Sequence, residues 1–188
     1  MWISLACFGI GFMSWSAAEY VMHRFVGHGK RSKALFATEH IQHHAKPGYF
    51  TPNKTKIWAA SRVILPMAIV TFIVLGKLGL LYTLGFTVSY MSYEWVHYSF
   101  HTYPPKTVLG RILRKHHFAH HFHNPSKNHG VTSRLWDRIF GTFQPIERVF
   151  VPERAAAQSM PWLLVPNTLD IRPEFQNDYA IKPLRNRA

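Results

Sequence analysis

From Trp2 to Met22 the chain is apolar except for Glu19. At about 1.5 Å per residue, this run is long enough to cross a ~30 Å hydrocarbon core. No basic segment precedes it, and His23-Arg24-Phe25 follows where a cleaved leader would place small residues. It therefore reads as a retained span and not as a secretory signal. A second apolar stretch runs from Val63 to Val96, with only Lys77 and Glu94 charged, and Gly76-Lys77-Leu78-Gly79 supplies a turn in its middle. Extended back through Ile57-Trp58-Ala59-Ala60, it predicts a helical hairpin. The expected spans are about 2–22, 57–76 and 78–97, with Pro66 kinking the second. Next, Val108, Leu109, Ile112 and Leu113 recur at helical spacing, with Lys106, Arg111, Arg114 and Lys115 on the other face. That pattern predicts an amphipathic helix on an anionic leaflet. Past Phe143 come Pro145, Pro152, Pro161, Pro166, Pro173 and Pro183. Residues 143–188 are expected as an irregular tail packed on a 1–142 membrane-embedded domain, frayed at its last residues. The fold class is all-α integral membrane: three transmembrane helices and a cytoplasmic helical cap.

Charge sets the expected orientation. Of 22 Lys and Arg, only Lys77 falls at the hairpin tip. By the positive-inside rule, the N-terminus and hairpin tip lie outside and the polar segments are cytoplasmic. This asymmetry accounts for most of the net charge of +13, so nucleic-acid binding is not needed to explain it. The 28 aromatic residues exclude disorder across the chain. A single cysteine, Cys7, excludes an internal disulfide framework and any multi-cysteine metal site.

The thirteen histidines carry the candidate chemistry, and none lies in the middle of a span. They form His23-x4-His28, His40-x2-His43-His44, His97-x3-His101 and His117-x2-His120-His121. Positions i, i+3 and i+4 share a helix face. Each triad can therefore aim three imidazoles at one place, and His97 and His101 can aim two. His23 and His28 are five apart, which requires the helix to end or bend near Gly27. A metal-scavenging tract would be contiguous and disordered; these clusters are separate and each abuts apolar structure. Ten imidazoles exceed the needs of one ion and suit two metals at about five each. Imidazole accepts zinc, copper, iron or nickel. A closed structural zinc site needs only four ligands, so the duplicated set points to redox chemistry. Two irons can supply electrons to split dioxygen and attack an unactivated C–H bond, and zinc can substitute in the same cage.

His116 competes with His117, because it also lies four before His120; His117 is favoured as completing the triad spacing. His123 and His129 read as supporting or solvated residues. Glu19 and Glu94 precede ligand positions by four and three residues, and Asp137 follows Trp136. These carboxylates, with His116 and His129, are candidates to hold the ligand rings from behind.

These strings resemble a known family. Glu19-Tyr-Val-Met-His23-Arg-Phe-Val-Gly-His28, Glu39-His40-Ile-Gln-His43-His44, Trp95-Val-His97-Tyr-Ser-Phe-His101 and Arg114-Lys-His-His117-Phe-Ala-His120-His121 are similar to the histidine boxes of the fatty acid hydroxylase and sterol desaturase superfamily. The stretch from Asn128 through Trp136-Asp137 to Thr142 resembles its closing motif. The resemblance implies an integral-membrane, non-haem di-iron oxygenase that hydroxylates or desaturates lipids with dioxygen and external electrons. It also implies a separate electron-transfer protein, because the chain carries no cytochrome-type haem domain. One span, not a hairpin, precedes the first box, and His116 stands where an aromatic residue is common. Carotenoid hydroxylases share similar boxes; the closing motif favours the fatty acyl or sterol branch.

The leading expectation is a fatty acyl hydroxylase, with a carotenoid or sterol hydroxylase or desaturase as the rival within catalysis. A metal-binding or metal-transport protein is the rival of another class. Transport favours ionisable residues inside the spans, and these spans lack mid-membrane histidines and acids.

Overall fold

The computed structural model describes residues 1–29 and 32–182. Its elements are mostly helical: α1 (Trp2–Val21), which runs on into a π-helix (Met22–Gly27), α2 (Leu35–Ala45), α3 (Asn53–Leu75), α4 (Lys77–Thr102), α5 (Val108–Phe122), α6 (Leu135–Ile139) and α7 (Glu153–Ser159). The chain divides into two compact units, Met1–Glu19 with Thr51–Trp95, and Tyr20–Phe50 with Val96–Ala188.

The first unit contains most of α1, all of α3 and most of α4. Glycines let α1 and α4 approach backbone to backbone: a Cβ on Gly11 would lie 1.9 Å from the Tyr82 carbonyl oxygen, and one on Gly85 2.0 Å from that of Phe8. Small residues at a helix crossing are the packing device of membrane bundles, where lipid removes the hydrophobic drive between helices. Trp15 packs edge-on against Phe86 and Tyr90, with ring centroids 5.3 and 4.9 Å away, and lies beside Tyr93. These aromatics are bundle packing. No residue of α3 is buried, although Ile57, Val63, Leu65, Ile69, Ile73 and Val74 are all apolar and exposed. A helix apolar on every side and uncovered by protein calls for lipid. Among the described residues, Trp2–Gly27 and Asn53–Leu75 are long and apolar enough to cross a membrane. The partner helix of the hairpin, α4, is 26 residues long, and its polar C-terminal turns carry His97 and His101.

The second unit holds all thirteen histidines. Its core is built from α5 and the segment after Phe143: Phe118, Val149, Val151, Met160, Leu163 and Tyr179 are all buried to within 1%. The expectation of an irregular tail is corrected. Strand β1 (Val149–Pro152) pairs in parallel with β2 (Tyr179–Lys182), Val149 opposite Tyr179 and Val151 opposite Ile181. Val149 and Val151 face inward while Phe150 faces out, the period-2 alternation of a strand with one buried face. Pro152, Pro161 and Pro173 fall at strand and helix edges, and Pro145 and Pro166 in connecting segments, where the missing N–H costs nothing. The fraying expected beyond Lys182, including Pro183, lies outside the described residues.

The amphipathic segment is the first half of α5, capped by Thr107, whose Oγ1 accepts from the Gly110 N–H at 3.0 Å. Val108 and Leu109 are exposed, but Arg114, assigned to the polar face, is buried. Its Nε donates to the Phe100 carbonyl and its Nη2 to that of Ser99, both at 3.0 Å. The guanidinium also lies 4.9 Å from the Trp162 ring centroid. Helical periodicity could not see that α5 is covered on this side by its own downstream chain.

Candidate metal centre

Four local devices bring the histidines together. On the first, the α1 helix widens into a π-helix over Met22–Gly27, and the His28 N–H bonds the His23 carbonyl at 3.2 Å. The i→i+5 winding places residues five apart on one face. The pair that does not fit an α-helix is thus aligned by changing the helix. Gly27 sits at the end of that winding because a Cβ there would approach His40 Cδ2 to 2.9 Å and Phe36 Cε1 to 3.1 Å. The other three devices are the α-helical faces of α2, the end of α4, and α5.

Two groups of five imidazoles result among the described residues. His23, His28, His40, His44 and His120 form one; His43, His97, His101, His117 and His121 form the other. Within each group the ligand nitrogens all lie within 4.8 Å of one another. Both α2 and α5 contribute to both groups, so the clusters are neighbours. His44 of one and His121 of the other stack with ring centroids 4.1 Å apart.

The donor chemistry fits a cation in each group. In the first, His23 Nδ1 faces the His129 carbonyl and His120 Nδ1 faces the Lys127 carbonyl at 2.7 Å. A carbonyl only accepts, so each Nδ1 carries the proton. Burial, with the neighbouring histidines, holds the His120 ring well below the ordinary imidazole range, hence neutral. Each Nε2 is then a bare lone pair, yet the two are 2.9 Å apart. Two facing lone pairs repel; a positive ion between them removes the conflict. Nε2 of His28 likewise lies 2.9 Å from those of His120 and His40, and that of His44 3.1 Å from His120. With ligands at right angles, a metal–imidazole bond of about 2.1 Å would set adjacent nitrogens about 3.0 Å apart and opposed ones about 4.2 Å apart.

In the second group, His101 and His117 Nε2 are 2.9 Å apart, and His43 Nδ1 donates to the Tyr49 carbonyl at 2.8 Å. Both ring nitrogens of His121 are buried with no hydrogen-bond partner among the described residues. An orphaned buried polar atom is costly, and two on one ring mark a missing partner. Burial, reinforced by neighbouring imidazoles, also lowers His117 and His121 well below the ordinary value, leaving lone pairs for a metal.

Three of the rings, those of His43, His120 and His23, are held from behind by main-chain carbonyls, those of Tyr49, Lys127 and His129. Spacing does not reveal such acceptors, because any residue type supplies them. Of the carboxylates expected in this role, Glu94 pairs with Lys56, and Glu19 is buried in the first unit. Asp137 and His116 bond each other at 2.9 Å, both buried. The His129 ring is buried, with its centroid 5.2 Å from that of His120; His123 is in neither five-ring group.

Residues 8–142 match the family model described as fatty acid hydroxylase. A dihydroceramide fatty acyl 2-hydroxylase of Arabidopsis thaliana is 32% identical over 73% of this chain and 60% of its own length. A fatty acid 2-hydroxylase of Homo sapiens is 30% identical over 73% of this chain and 39% of its own length. A solved structure of full-length scs7p, with only its hydroxylase domain visible, superposes with a TM-score of 0.64 at 27% identity, covering 76% of this chain and 56% of that one. The chain thus spans 60% or less of these relatives.

Proposed function

Because this chain belongs to the fatty acid hydroxylase family, we propose that it is a membrane-bound oxygenase that hydroxylates the acyl chain of a lipid, using dioxygen and electrons from a separate carrier protein. The observation that carries this reading is the pair of adjacent five-imidazole clusters with facing lone pairs. His23, His28, His40, His44 and His120 would hold one ion, and His43, His97, His101, His117 and His121 the other. Two irons bound there would supply the redox chemistry for dioxygen activation. Relatives described as fatty acyl and fatty acid 2-hydroxylases support the acyl chain as substrate.

The chain's own residues have definable tasks. Backbone carbonyls at His129, Lys127 and Tyr49 hold protons on Nδ1 and so present Nε2. Burial keeps the rings neutral and excludes bulk water that would compete for the ions. The three helices α1, α3 and α4 would cross the bilayer, with the N-terminus and hairpin tip outside and the clusters on the cytoplasmic side. The charge distribution supports that orientation.

The test is lipid mass spectrometry on cells expressing the chain under labelled dioxygen. The expected result is an acyl chain carrying one labelled oxygen, lost in His120→Ala. Identical lipid profiles in the two would remove the hydroxylase reading. A labelled sterol or carotenoid product would instead support the alternative branch.

A further inference from the structure

Asp137 is fully buried and both of its carboxylate oxygens are saturated. Oδ1 accepts from the His129 N–H at 2.8 Å and from the Thr142 hydroxyl at 2.6 Å. Oδ2 accepts from the Gly130 N–H at 2.8 Å and from His116 Nε2 at 2.9 Å. Thr142 has one hydroxyl proton and donates it to Asp137. The Tyr20 hydroxyl, 2.8 Å from Thr142 Oγ1, is therefore the donor in that contact, and it accepts in turn from Arg24 Nη1 at 2.8 Å. The directed chain Arg24 to Tyr20 to Thr142 ends on the carboxylate.

What this carboxylate fixes is the loop Asn128–Gly130. Two consecutive N–H groups, those of His129 and Gly130, point at it. The His129 carbonyl faces His23 Nδ1. His23 sits in one five-ring cluster only. The hydrogen bonds of Asp137 lead through His129 to His23 and through Thr142 to Tyr20.

We propose that Asp137 is a positioning residue for one metal alone: by clamping the His129–Gly130 peptide it aims the His129 carbonyl at His23 Nδ1, and so aims the His23 Nε2 lone pair into the first cluster. This rests on the two-metal reading of the clusters and adds an asymmetry to it. The two sites then depend on different supports, and one can be weakened without the other. In Asp137→Asn one oxygen becomes an NH2 facing two donors, so at least one of the loop contacts is broken. Outer partners of ligand imidazoles typically change metal affinity by about 10–100-fold.

The experiment is chelator-driven release of iron or zinc from the purified full chain in detergent, with metal content and far-UV circular dichroism measured alongside. Wild type is expected to hold two ions per chain. Asp137→Asn is expected to release one of the two at least about tenfold faster, the other at the wild-type rate. His116→Phe removes one of the four donors and leaves the carboxylate in place. It should accelerate the same single phase by a smaller factor, and His116→Gln, which restores a donor, should reverse the effect. This pair decides the matter if Asp137→Asn does not fold. Release of both ions accelerated alike, or neither accelerated, overturns the assignment while the two-metal reading stands. A wild-type chain that holds no ion overturns the two-metal reading, and the assignment with it.

Discussion

The imidazoles of His44 and His121 lie 4.1 Å apart, tilted by 14°, and they belong to different clusters. Two stacked rings at this distance cannot both carry a charge without strong repulsion. Burial first, then the neighbouring imidazoles, pushes His44 down to about 3 and lowers His121 well below the ordinary value. The pair is one of the ring contacts between the two cages, beside His120–His121 and His43–His44.

A pH dependence follows. In the unfolded chain these histidines titrate near 6.5, whereas folded His44 titrates near 3 and His129 near 4. As pH falls below about 6.5, the unfolded state binds protons that the folded state refuses, and stability drops. Above that range both states are neutral and the full stability is present. The thermal midpoint of metal-stripped protein should be level above pH ~7 and fall steadily from about 6.5 towards 4. A midpoint that holds or rises on acidification would show that the rings are not buried neutral.

Gly27→Ala should damage one cluster through its walls. The new methyl would press on His40 and Phe36, and relieving it requires moving a ligand ring or unwinding the π-helix. Overpacking of this kind costs about 1–3 kcal/mol. Metal retention in the His23 cluster should fall while helical content holds, as read by metal analysis beside circular dichroism. Unchanged metal content would mean the ring has room to spare.

Trp162 couples the downstream segment to the other cluster. Its Nε1 donates to the His101 carbonyl at 3.0 Å, its ring packs on Phe118 and Phe175, and it is 5% exposed. Trp162→Ala should cost about 3–5 kcal/mol of stability in the second unit. A chain ending at Thr142 should bind no metal, because the core around Val149, Val151 and Leu163 goes with the removed segment. Denaturant unfolding and metal analysis check both; a stable, metal-loaded truncation would contradict the core assigned here.

Much of the site was legible because helical spacing is local. His40-x2-His43-His44 and His117-x2-His120-His121 share a face wherever the helix goes. The need for a distortion at Gly27 was legible too, since five residues do not close on an α-helix, but its form was not. A π-helix is chosen by what packs on it, here His40 against Gly27. The division into clusters was hidden for the same reason: His43 and His44 are adjacent in sequence yet serve different groups. Carbonyl acceptors leave no trace in residue type. The fold after Phe143 was misread because proline density hid a strand of four residues, whose partner lies 30 positions on.

The central claim is that each five-ring cage holds its own ion. The most direct test is the metal content of the purified full chain by mass spectrometry of the elements. Two transition-metal ions per wild-type chain are expected, and one per chain when His101 and His117 are both replaced by Ala. A wild-type chain with fewer than two ions, or a double variant that keeps both, would contradict it.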